Sequence, residues 1–161
     1  MMLYFIDFNG FYLHGEFIFK ELAYYCVDTS ETKVFHFSSN RNFTDLSRKE
    51  KNVVQYYESQ IHGIPWDVGY SSLSELKNML PLTKYDVIIL NRSNKKRLLQ
   101  SITHHTAYEV ICLPEITQHT MNIYSNSYNF FCISSFHSSS SRCALKNVHI
   151  YYNICKSWLS V

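Results

Sequence analysis

Tyr85-Asp86-Val87-Ile88-Ile89-Leu90 is the clearest buried strand in the chain. Its aliphatic run has no polar alternation, the pattern of a strand covered on both faces inside a parallel sheet. Helical stretches flank it. Ser71 or Ser72 caps a helix carrying Leu73, Leu76, Met79 and Leu80, which Pro81 stops. Ser93 to Ile102 reads as a basic helix with Leu98, Leu99 and Ile102 on its inner side. A strand set between helices joins its neighbours by crossovers, so the fold class is α/β.

Working outward, residues 3–8 read as a buried strand ending at a turn, Asn9-Gly10. Glu16 to Asp28 follows a hairpin-like turn at His14-Gly15, and 33–37 makes a third strand. These three suit an antiparallel meander. The stretch from Leu46 to Gln60 reads as a helix, with Thr44 and Ser47 near its start. Glu109 to Cys112 is a short fifth strand, and 113–131 looks irregular. Ser138 to Ser141 is a serine loop, and Cys143 to Leu159 is a helix with Leu145, Val148, Tyr152, Cys155 and Leu159 at helical spacing. Right-handed crossovers then give a single domain, 1–161, with a five-stranded mixed sheet in the order 3-2-1-4-5 flanked by helices.

Composition bounds the function. At 46% apolar and 17% charged residues the chain builds a core rather than staying disordered. No run of roughly eighteen uncharged apolar residues occurs, so no membrane association is expected. Fifteen Lys and Arg against thirteen Asp and Glu give +2, which by itself does not mark a nucleic-acid binder. Five cysteines at irregular spacing cannot all pair, and the apolar run after Met1-Met2 is too short for a secretory signal. An intracellular setting, cytoplasmic or nuclear, is expected. Cys26 and Cys155 lie in apolar periodic segments and read as core.

The strand order resembles the ribonuclease H-like fold, and several motifs resemble the DEDDh 3′–5′ exonucleases. Ile6-Asp7-Phe8-Asn9 is similar to their Asp-x-Glu strand end. Lys20-Glu21-Leu22-Ala23 and Ile61-His62-Gly63-Ile64 are similar to Ile-Glu-Leu-Ala and Ile-His-Gly-Ile. Leu90 to Leu99 is similar to their second motif and Arg142 to Asn147 to their third. The resemblance implies carboxylates at four places, of which only Asp7 survives. Asn9, Lys95 and Asn147 replace the others, and Arg142 replaces the general-base histidine. One carboxylate does not hold two hard cations, so exonuclease catalysis is not expected. Asp7 then reads as a turn residue supporting Asn9-Gly10.

The Maelstrom domain of the piRNA pathway, associated with transposon silencing, is similar in being a ribonuclease H-like fold without those carboxylates. That resemblance implies a structural zinc site, here Glu21, Cys132, His137 and Cys143, with single-stranded RNA binding and an RNA-cleaving activity independent of the lost carboxylates. The spacing Cys-x4-His-x5-Cys resembles the family's Cys-x2-His with a more distant Cys. Zinc takes thiolate, imidazole and carboxylate ligands in a tetrahedron, and a metal would pin the serine-rich loop to the last helix. Glu21 is a charge in an apolar strand and needs a partner, which zinc would supply. Cys112 is a reserve ligand, while unliganded core thiols are the plainer alternative. His104-His105 reads as a solvated helix end.

Arg92, Lys95, Lys96 and Arg97 form the densest basic cluster, with Arg48, Lys49 and Lys51 a lesser one. At the strand ends the first cluster suits phosphate, and nearby Tyr and Phe suit stacking of unpaired bases. A solvated helical face is its plainer reading. Two other classes stay open: a protein-interaction scaffold using region 117–131, and a nuclease using His62, Glu58 and Asp67 around Gly63.

Overall fold

The computed structural model describes residues 1–80, 82–103, 109–126 and 143–159. Strands β1 (Leu3–Leu13), β2 (Glu16–Cys26) and β3 (Glu31–His36) form an antiparallel meander. His14 and Gly15, with φ of 52° and 79°, make the β1–β2 turn. Positive φ at both positions matches the turn to the twist of the hairpin. Strand β4 (Val87–Leu90) lies parallel to β1, and β5 (Glu109–Cys112) lies parallel to β4. The sheet is five-stranded and mixed, in the order β3-β2-β1-β4-β5 that the sequence implies.

β1 corrects one expectation. It does not end at Asn9-Gly10 but runs to Leu13, and its register with β2 shifts between Asn9 and Gly10. Asn9-Gly10 is here regular strand opposite a bulge, not a turn: Asn9 pairs with Glu21 and Gly10 with Phe19, which leaves Lys20 of β2 as the extra residue. A Cβ on Gly10 would lie 2.1 Å from the Ile18 carbonyl oxygen, so glycine alone permits the approach. Beyond the bulge, Phe11 and Leu13 leave the main sheet core and pack with Leu46, Val54 and Trp66.

Helices cover both faces. Helix α1 (Arg48–Tyr56) begins at a Ser47–Glu50 capping box and runs into a π-helical turn, Tyr57–Ile61. A 3₁₀ turn, Leu73–Glu75, leads into α2 (Leu76–Met79). Helices α3 (Ser93–Thr103) and α5 (Ala144–Leu159) stand where the sequence puts them. Segment 113–131, read as irregular, contains α4 (Gln118–Asn126), opened by Thr117, whose hydroxyl accepts from the Thr120 N–H at 3.2 Å. The polar composition of α4 hid it. Residues 127–131 and the serine loop fall outside the described residues.

Strand alternation sorts the side chains. Tyr4, Ile6 and Phe8 of β1, with Leu22 and Tyr24 of β2, meet Leu76, Leu80 and Leu99 on one face. Phe5 and Ala23 meet Leu145, Val148 and Tyr151 of α5 on the other. Tyr151, rather than Tyr152, is the deeply buried tyrosine of α5. Cys26 is buried and Cys155 packs at the edge of the α5 core, both as expected.

Lys20 was not anticipated. It is fully buried, and its Nζ donates to the carbonyls of Trp66 at 2.8 Å and Val68 at 2.5 Å and to Ser39 Oγ at 3.1 Å. It fastens the Gly63–Gly69 loop to β2. Burial pushes its amine down to about 8, partly offset by Asp67 and Glu58. Lys20→Met removes all three bonds and leaves the Trp66 carbonyl with Ser39 Oγ as its donor at 2.8 Å, and we expect a loss of about 2–3 kcal/mol, read from the urea unfolding midpoint.

Glu50 gives an acid limb. Its hydrogen bond from Arg41 at 2.5 Å, then that from the Ser47 N–H, lower its carboxyl to about 2 from 4.5. The folded value lies below the unfolded one, so this stabilisation is complete above 4.5 and fades as pH falls toward 2. Glu50→Gln should flatten that part of the stability–pH curve in thermal melts.

Candidate functional site

The alternation that buries Tyr4, Ile6 and Phe8 on one face turns Asp7 and Asn9 to the other, toward α5. Asp7 is 1% exposed. One carboxylate oxygen accepts from Lys95 Nζ of α3 and the other from Asn147 Nδ2 of α5 at 2.7 Å. Lys95 Nζ also donates to the Phe8 carbonyl at 2.8 Å and stands 4.8 Å from the centre of the Phe8 ring. Asn9 Nδ2 donates to Glu21 Oε2 at 2.9 Å across the hairpin. Asp7, Lys95 and Asn147 are thus in contact, with Asn9 on the adjoining Glu21, and Arg142 lies outside the described residues. Asp7 does not support a turn, because no turn exists at Asn9-Gly10. It is a buried link between β1, α3 and α5.

Above this link opens a cleft of about 230 Å³. That is below the range of about 300–1,000 Å³ usual for whole small molecules. Tyr12, Phe17 and Tyr57 supply aromatic walls, and Asn91, Arg92 and Asn94 supply polar ones. Tyr12 is 40% exposed. Tyr151 closes the floor, its hydroxyl accepting from Asn91 Nδ2 at 3.1 Å. Burial, then the Asp7 charge, raises its phenol well above the usual range. Among the described residues, Asn91 Oδ1 is the buried side-chain polar atom without a hydrogen-bond partner. The sequence reading did not single out Tyr151 or Asn91. Tyr151 was findable, since it follows Asn147 by one helical turn and so shares its face.

The basic cluster divides. Arg92 and Lys95 line the cleft, while half-buried Lys96 and exposed Arg97 do not. Successive helical residues point about 100° apart, so four neighbouring cations cannot serve one cleft.

The histidine-loop candidates are engaged elsewhere. His62 is buried, and its Nδ1 accepts from the Ile64 N–H at 3.0 Å. The ring proton therefore sits on Nε2, which bonds the Gly10 carbonyl at 3.1 Å. Glu58 accepts from the Trp66 N–H at 2.6 Å and Asp67 from the Phe43 N–H at 3.1 Å. All three groups hold the loop in shape, and His62 has no ring lone pair left to act as a base.

Of the side chains read as zinc ligands, Cys132 and His137 lie outside the described residues. Glu21 and Cys143 are both buried, and Glu21 Oε2 accepts from the N–H of Ala144, the residue after Cys143, at 3.0 Å. Glu21 Oε1 faces His36 Nε2 at 3.5 Å. Asn9, the α5 N-terminus and His36 thus supply the partners that burial of this carboxylate demands. Among the described residues no three His, Cys, Asp or Glu side chains gather into a metal-sized group. Cys112 is half-buried on β5. His104-His105 lies outside the described residues. Among those residues no helix is long and apolar enough to cross a membrane.

The Asp7–Lys95 pair should behave as a unit. Lys95→Met leaves Asp7 buried with only neutral partners, Asn147 and the Tyr151 hydroxyl, at an expected cost of about 3 kcal/mol. Asp7→Asn combined with Lys95→Met should recover more than half of that loss in a double-mutant cycle of urea unfolding.

No family model matches this sequence, and no curated protein is similar to it; what the cleft does is read from its own residues.

Proposed function

We propose that this protein is a catalytically degenerate, ribonuclease H-like domain that binds single-stranded RNA in the cleft above Asp7 without trimming it. The observation that carries the reading is the Asp7–Lys95–Asn147 contact. An ammonium and an amide occupy the carboxylate's oxygens, so the cluster is charge-balanced and offers a pair of divalent ions no purchase. The cleft instead keeps what a binder of unpaired bases uses: aromatic surfaces at Tyr12, Phe17 and Tyr57, a cation at Arg92 and amides at Asn91 and Asn94. The strand order and the placing of Asp7, Asn9, Lys95 and Asn147 support descent from an exonuclease. The resemblance to the Maelstrom domain supports work on RNA in a transposon-silencing pathway.

Fluorescence anisotropy with a labelled single-stranded RNA tests this. Affinity should fall as salt rises, and Arg92→Ala should weaken binding about three- to tenfold, while Arg97→Ala changes it less than about twofold. Absence of binding at low salt favours the protein-scaffold alternative. Chelator-sensitive shortening of the RNA would overturn the loss of catalysis.

A structural zinc is a second reading, favoured by the meeting of Glu21 with the Cys143–Ala144 backbone. Glu21 and Cys143 would hold it together with Cys132 and His137, and it would supply a cross-link rather than chemistry. Elemental analysis of purified protein should then find about one zinc per chain, and a metal-free folded protein removes the reading.

A further inference from the structure

Lys95 has more hydrogen-bonding capacity than Asp7 and the Phe8 carbonyl use. An ammonium carries three N–H donors. Asp7 and the Phe8 carbonyl take two of them. The side chain is 19% exposed, and the residue lines the cleft. Arg92, three positions earlier, lines the same cleft and is exposed. The α3 N-terminus opens there as well, and its positive end favours an anion. Asp7 and Asn147 are buried and do not compete for a ligand. Their part is to hold the ammonium at the floor.

We infer that Lys95 is a built-in substitute for a divalent ion, joining Asp7 on one side to a backbone phosphate of the bound strand on the other. The inference rests on the reading of the cleft as an RNA site. Arg92 takes the same or the neighbouring phosphate from above. Asp7 and Asn147 act as positioning residues. The consequence is binding that needs no divalent ion, because the cation between carboxylate and phosphate belongs to the chain.

The test is anisotropy of labelled decauridine RNA, in EDTA and in magnesium, over a range of monovalent salt. Wild-type protein should bind equally well in both. Lys95→Met should bind about five- to tenfold more weakly, with the log–log salt slope reduced by about one. Because Lys95→Met strands a buried carboxylate, the Asp7→Asn/Lys95→Met variant is measured beside it and should show the same weakened binding and reduced slope. Binding lost in EDTA and restored by magnesium overturns the inference while leaving the RNA reading in place. A double variant with wild-type affinity and slope overturns it too. Wild-type protein that binds decauridine in neither buffer overturns the reading of the cleft itself, and the inference with it.

Discussion

The buried carboxylate of Asp7 is the constraint around which this molecule is arranged. A charge at 1% exposure must be answered by donors, and here they come from two different helices. Lys95 draws α3 to the strand, and Asn147 draws α5 to it. The same contacts give the cleft its floor. A structural demand and a candidate binding site thus share one set of atoms, which explains why the cluster stays polar rather than becoming part of the apolar core.

A second polar tie works beside the cleft. Lys20 reaches from β2 to the carbonyls of the Gly63–Gly69 loop, and His62 of that loop returns a bond to the Gly10 carbonyl. The loop is therefore anchored at both ends to the hairpin. The bulge contributes the first anchor, because Lys20 is the residue that the register of β2 with β1 leaves unpaired. One wall of the cleft, from Tyr57 to His62, inherits its position from these bonds.

Much of the architecture is legible in the residues. The run Val87–Leu90 fixes a parallel strand, and its place between helical segments fixes the order of the sheet. Ser47 and Glu50 announce α1 three residues apart. Asn9-Gly10 misleads, because the dipeptide that most often makes a turn here lies in paired strand opposite a bulge, and only pairing across the hairpin decides between them. Lys20 is opaque for a related reason: it is the extra residue of the β2 bulge, and no local pattern marks where a strand inserts one. The site is half-legible. Asp7, Lys95 and Asn147 come from motif positions far apart in sequence. The division of Arg92 and Lys95 from Lys96 and Arg97 needs the helix orientation, and the partners of Glu21 need the register of β2 with both its neighbours.

The bond from Asn147 to Asp7 spans 140 positions. A chain made from its N-terminus releases the β1–β2 hairpin early, with Asp7 on an uncovered face. Lys95 can reach that face only after the first crossover, and Asn147 only after α5 has emerged. Loop-closure entropy makes such distant contacts late and slow to form. The floor of the cleft is consequently complete only when both helices are seated, since one Asp7 oxygen draws on a residue 88 positions away and the other on one 140 positions away.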